Sequence, residues 1–68
     1  MFIEIENVRY DADTIVSYEK KYKGDFAYIE LNFDTGNRIM WGLFDEERKA
    51  DDRIDWLDHV LETISYDG

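Results

Sequence analysis

The 68-residue chain has no cysteine, no proline and a single histidine. Without Cys there is no disulfide, zinc–thiolate site or thiol nucleophile. That absence suits a reducing setting, and the cytoplasm is the expected compartment, the host's if the chain is phage-encoded. Without Pro, no element carries a forced break. No apolar run approaches the ~20 residues of a membrane span. The opening Met1-Phe2-Ile3-Glu4 has neither the basic stretch nor the long apolar core of a secretory signal, so none is expected. Glycine is sparse and forms no phosphate-cradling loop. Asp11-Ala12-Asp13 lacks the remaining ligands and the Gly of a calcium loop. Bases are scarce too: 8 Lys and Arg stand against 17 Asp and Glu, for a net charge of −9. Such a surface repels nucleic acid and membrane phosphate and attracts basic protein surfaces.

What is present argues for a folded chain. Acidity on this scale first suggests disorder, but 44% hydrophobic and 16% aromatic residues, placed periodically, are enough for a core. Residues 1–68 are expected to form one domain. A chain this short buries only about 60% of its unfolded surface, so its stability should be modest.

Phe2 to Glu6 alternates, Ile3 and Ile5 opposing Phe2, Glu4 and Glu6, as in a half-buried strand. Val8 and Tyr10 extend it past a bend at Asn7. Asp11 to Thr14 reads as a turn, because Asp side chains bond nearby backbone amides. Ile15 to Tyr22 is β-branched and aromatic and forms a second strand, with Val16, Tyr18 and Tyr22 on one side. Phe26 to Phe33 alternates most clearly. Asp34-Thr35-Gly36-Asn37 is a hairpin turn with residues suited to positive φ. Arg38 to Phe44 returns, with Ile39, Trp41 and Leu43 opposed to Met40, Gly42 and Phe44.

The segment Asp45 to Ser65 organises the rest. Ala50, Ile54, Leu57, Val60, Leu61 and Ile64 recur at spacings of three and four, one stripe of an α-helix. The helix starts at Asp45 or at Asp51, either being a suitable cap. Tyr66-Asp67-Gly68 should fray. The expected fold is α+β: a four-stranded antiparallel β-meander with one C-terminal helix packed across one face (β-β-β-β-α). Its expected core is Ile3, Ile5, Val16, Ile29, Leu31, Ile39, Trp41, Leu43, Ile54, Leu57, Leu61 and Ile64.

The helix has a second pattern. Asp51, Asp55, Asp58 and Glu62 share one face, with Asp52, Glu46, Glu47 and Asp45 beside them. From Asp51 to Glu62 the row spans roughly 16 Å, about one charge per 5 Å. A DNA strand carries about one per 3.4 Å, so the row is a sparse copy of a phosphate line. An ordinary solvated face mixes signs for i,i+4 support. Here only Arg53 interrupts, and the acids repel one another. Residues 45–68 hold nine acids and three bases, net −6, and residues 1–44 hold net −3. The stripe marks Asp51, Asp52, Asp55, Asp58, Glu62, Glu46 and Glu47 as partner-binding candidates; the plainer alternative is a solvated face.

A second candidate is the sheet face turned away from the helix, which would present Phe2, Phe26, Tyr28, Met40 and Phe44 among Glu4, Glu6, Glu30 and Arg38. Phe26, Tyr28, Met40 and Phe44 there would suit a homodimer or partner contact; the alternative is a tolerable mixed surface. Catalysis has little support. His59 lies between Asp55 and Glu62 on the helix, but a metal site needs more ligands than that, and an exposed His is the simpler reading. Neither a metal nor another cofactor is implied. Lys20, Lys21 and Lys23 with Tyr18 and Tyr22 form a basic-aromatic patch, explained more simply as protection of an edge strand than as a nucleic-acid site.

In size, charge and element order, though in no motif, this short, Cys-free, acidic chain looks like the phage-encoded inhibitors of host defence, anti-CRISPR proteins and other DNA mimics. That resemblance implies a stoichiometric, non-enzymatic inhibitor. It would block a basic, nucleic-acid-binding surface of a host defence protein such as a CRISPR effector, without itself binding nucleic acid or membrane. The alternative is a small homodimeric or adaptor module using the aromatic open face of the sheet.

Overall fold

The structure, a computed structural model, describes residues 1–65, and for residues 62–65 the backbone alone. The side chains of Glu62 and Ile64, named above as partner-binding and core, lie outside the described residues. So does the segment 66–68 expected to fray.

The chain forms β1 (Phe2–Ile5), β2 (Val8–Asp11), a 3-10 turn (Ala12–Thr14), β3 (Ile15–Lys23), β4 (Phe26–Phe33), β5 (Arg38–Phe44) and α1 (Glu47–Ser65). The class is α+β with a C-terminal helix, as expected. The single four-stranded meander is not found: five strands make two sheets, a β1–β2 hairpin and an antiparallel β3–β4–β5 sheet. The extra strand comes from Glu6 and Asn7. Both hold positive φ, 51° and 70°, the signature of a tight two-residue hairpin turn whose twist suits the flanking strands. The bend at Asn7 is thus a full reversal that pairs Ile5 with Val8 and Ile3 with Tyr10.

β4 is the central strand, and its strict alternation sets the core. Ala27, Ile29, Leu31 and Phe33 are buried, while Phe26, Tyr28, Glu30 and Asn32 point the other way. Leu57 of α1 and Ile3 and Ile5 of β1 meet Ile29, Leu31 and Phe33 in one cluster. Tyr10 stacks on Phe33 with ring centroids 5.3 Å apart. Helix and hairpin therefore share one face of the three-stranded sheet. A lone two-stranded hairpin is marginal in water. Burying Ile3 and Ile5, at about 1.5–3 kcal/mol each, holds this one in place. The link from β2 to β3 is fastened locally: the Asp11 carboxylate accepts from the Asp13 amide at 3.0 Å, and the Thr14 hydroxyl donates to the Asp11 carbonyl at 2.7 Å.

α1 starts at Glu47, between the two starts considered, and Glu47 to Ala50 is helix. Ala50 and Leu57 are fully buried; Ile54, Val60 and Leu61 pack on the cluster from the rim.

Three side chains depart from the expected alternation, and bulges explain each. In β3 the pairing shifts between Ile15 and Ser17. Val16 is the extra residue and lies exposed, while Ile15 joins the core in its place. In β5 the pairing shifts between the partners of Ala27 and Ile29. Gly42 sits in that step at φ 71°. Beyond a bulge every side chain changes face. Phe44, expected on the open face, therefore opposes Ala27 and packs on the core. Leu43, expected in the core, is exposed.

Gly42 is held twice. Its φ disfavours any side chain, and a Cβ there would lie 2.6 Å from Phe44 Cζ. Gly24 has a similar φ of 61° but open space around it. Gly24→Ala should cost about 1–2 kcal/mol from backbone strain alone. Gly42→Ala should cost about 2–4 kcal/mol, because the Phe44 ring must also move. Urea denaturation of the two variants checks the difference; equal losses would mean that the Phe44 contact contributes nothing.

Candidate interaction surfaces

The acidic face of α1 divides into two rows. The row nearer the sheet is bonded to β3. Glu47 Oε2 lies 2.7 Å from Lys20 Nζ, which is also hydrogen-bonded to Asp51. The Tyr22 hydroxyl donates to Glu47, and the Tyr18 hydroxyl donates to Asp58. The alternation of β3 makes this possible: Tyr18, Lys20 and Tyr22 oppose Leu31, Ile29 and Ala27, so all three rise on the helix side. Asp51, and then Glu47, hold the Lys20 ammonium above its ordinary range. Lys20, and then Tyr22, hold the Glu47 carboxyl below its own. Glu47 also pushes up the Tyr22 phenol by accepting its proton in a hydrogen bond.

This contact accounts for much of the like-charge repulsion that stood out in the helix pattern: the neutralising cation lies on another element. It also corrects the role of Lys20, which joins helix to sheet. Lys21 instead bonds Glu30 at 3.1 Å on the opposite face of the sheet.

Of the other acids, Glu46 lies 3.6 Å from Arg48 and 3.7 Å from Lys49, and Asp45 lies 2.8 Å from Lys49. Asp52 and Asp55 are exposed, and neither makes an ion pair or hydrogen bond among the described residues. Of the seven partner-binding candidates, then, Asp52 and Asp55 are exposed and make no pair among the described residues. Glu47, Asp51 and Asp58 are committed to β3, and Glu46 is committed to its helix neighbours. Among the described residues, no three of His, Asp and Glu come together as metal ligands.

The second surface is the uncovered face of the β3–β4–β5 sheet. Phe26, Met40 and Leu43 are 45%, 48% and 50% exposed there, around a half-buried Tyr28. Leu43 stands where Phe44 was expected. Phe2 is exposed as well, but on the outer side of the hairpin, away from this group. The charges of the uncovered face are Glu19 and Glu30 against Lys21, Lys23 and Arg38. It is thus the part of an acidic protein that carries almost no net charge.

Sequence reasoning missed a third feature. Trp41 of β5 and Trp56 of α1 meet edge to face at 5.9 Å, and the Arg53 guanidinium lies 5.9 Å from the Trp41 ring centre. With Glu4 they line a recess of about 200 Å³. Trp56, at the edge of the helix stripe and 39% exposed, was the available signal. A larger dish of about 370 Å³ lies between Tyr10, Phe33 and Arg38, and no polar side chain is buried in it.

Among the described residues no helix is long and apolar enough to cross a membrane. No family model, curated protein or solved structure matches the chain.

The clamp between α1 and β3 has a pH signature. Lys20 and Tyr22 are raised from 10.5 and 10.0, so their contribution is full below those values and is lost as pH rises through the folded-state values. Glu47 is lowered from 4.5, so its contribution is full above that value and is lost as pH falls. Lys20→Met should lower the melting temperature between about pH 5 and pH 10 and flatten the alkaline decline. Thermal melts across pH, read by circular dichroism, check this. An unchanged alkaline decline would mean that the clamp does not act through Lys20.

Proposed function

We propose that the chain is a non-enzymatic protein-binding module whose contact surface is the uncovered face of the three-stranded sheet. One observation carries the reading: helix and hairpin both pack on one side of β4, leaving Phe26, Met40 and Leu43 about half exposed on the other. Apolar and aromatic side chains rimmed by charge are the composition of a contact surface. Low net charge there removes the electrostatic cost of approach that the rest of a −9 surface imposes.

A second reading has its own observation. Asp52 and Asp55 line the outer side of α1 with no ion pair or hydrogen bond among the described residues, and a net charge of −9 stands behind them. This supports a stoichiometric inhibitor of the anti-CRISPR or DNA-mimic kind, with α1 directed at a basic, nucleic-acid-binding protein surface. Long-range attraction would speed such an encounter, and salt would weaken it. The commitment of Asp51, Asp58 and Glu47 to β3 reduces the charge left for that role, so the sheet face is the better supported surface.

Paired variants distinguish the two. Tagged wild type, Tyr28→Glu/Leu43→Glu and Asp52→Lys/Asp55→Lys are used for capture from bacterial lysate in rising salt. For the sheet face, the first double variant loses the partner, the second keeps it, and salt matters little. For the acidic helix, the second variant loses a nucleic-acid-binding partner that also leaves the wild type at moderate salt. A partner held equally by all three would refute both.

A further inference from the structure

β5 is an end strand of its sheet, and no described strand pairs with its outer edge. β3 is the other end strand, and the two edges are built differently. β3 carries Lys21 and Lys23 on the side away from the helix, the kind of side chain with which natural sheets discourage a further strand. α1 also grips β3 through Glu47, Asp51 and Asp58. β5 has no lysine, and its only charge is Arg38 at its first position. Met40 and Leu43 stand exposed along it. The bulge at Gly42 interrupts this edge midway, but the open edge has exposed apolar side chains on both sides of it and no lysine, and so offers a template for another strand.

We infer that β5 pairs antiparallel with β5 of a second copy of this chain, joining two three-stranded sheets into one. Charge selects both the occupant and its direction. Arg38 opens the strand, and Asp45 follows its end. An antiparallel copy brings each Arg38 to the partner's acidic end, giving two opposite-charge contacts related by symmetry. A parallel copy would set like charge against like. Asp45 is exposed; among the described residues its carboxylate meets Lys49 of its own chain at 2.8 Å and the backbone amides of Asp45 and Glu46, and its exposed side leaves room for a second cation. The two-fold arrangement also closes: the outer edges of the joined sheet are the two lysine-bearing β3 strands, so growth stops at a dimer. The contact is small, which makes it a reversible association.

Met40 and Leu43 belong both to this edge and to the sheet face proposed above, so Tyr28, which lies on the face and not on the edge strand, separates the two readings. Sedimentation equilibrium of the full chain from about 10 µM to about 1 mM should show a monomer–dimer equilibrium. Arg38→Glu, and separately Asp45→Arg, should each raise the dissociation constant about tenfold. The double variant Arg38→Glu/Asp45→Arg should restore it toward wild type, and Tyr28→Glu should leave it unchanged. Circular dichroism verifies that each variant is folded, and amide exchange in β5 should slow as concentration rises. A chain that stays monomeric over the range overturns the inference. So does a dimer that Tyr28→Glu breaks and the charge exchange does not rescue; that result would place self-association on the sheet face instead. A dimer indifferent to both single charge variants overturns it as well.

Discussion

The structure depends on one strand having a single apolar side. β4 places Ala27, Ile29, Leu31 and Phe33 on one face, and among the described residues two further elements cover them, α1 and the β1–β2 hairpin. Both are used on that face. α1 brings Leu57 and Ala50, and the β1–β2 hairpin brings Ile3 and Ile5. Neither cover would be stable alone: a two-stranded hairpin is marginal in water, and a helix of this length takes most of its stability from the face it buries. Committing both covers to one side leaves the other side of the sheet bare. The exposed Phe26, Met40 and Leu43 follow from this one-sided economy.

The second constraint is electrostatic and follows from the first. A helix laid over β3 and β4 must set one flank beside the side chains that rise from β3. In this chain those are Tyr18, Lys20 and Tyr22, and the helix flank beside them carries Asp58, Asp51 and Glu47. Three acids of one face thus meet one ammonium and two phenol donors. The other flank of α1 is fastened by aromatic contacts, Trp56 against Trp41 and Arg53 near Trp41. Different chemistry on the two flanks fixes the roll of the helix about its axis, which apolar burial alone leaves loosely determined.

Much of this was legible from residue order. The alternation of β4, the Asp34–Asn37 turn and the three-and-four spacing of Ala50, Ile54, Leu57 and Leu61 each rest on contacts or dihedrals within one element, and each was read correctly. The misplaced side chains share a cause: a period-two pattern carries no memory of an inserted residue. One extra residue at Val16 and one beside Gly42 turn the neighbouring side chains over, so Val16 and Leu43 left the expected core and Phe44 entered it. Gly42 was itself a signal, since glycine inside a strand often marks a bulge. The Glu6-Asn7 reversal was harder to see, because Glu rarely takes positive φ. The Lys20 clamp was invisible in principle. It joins residues 27 and 31 positions apart, and only the packing of α1 on β3 brings them together.

These two constraints together sort the surface into unlike parts. Because three acids of α1 are satisfied internally, the helix shows solvent a shorter acidic row than its sequence suggests. Because the covers lie on one side, the bare side keeps the sheet's exposed apolar groups and nearly balanced charge. A molecule of net charge −9 is repelled by its own kind over most of its surface. That repulsion is weakest over the bare face, where Lys21, Lys23 and Arg38 offset Glu19 and Glu30. The same sorting that stabilises the fold therefore leaves the bare face as the surface where charge opposes approach least.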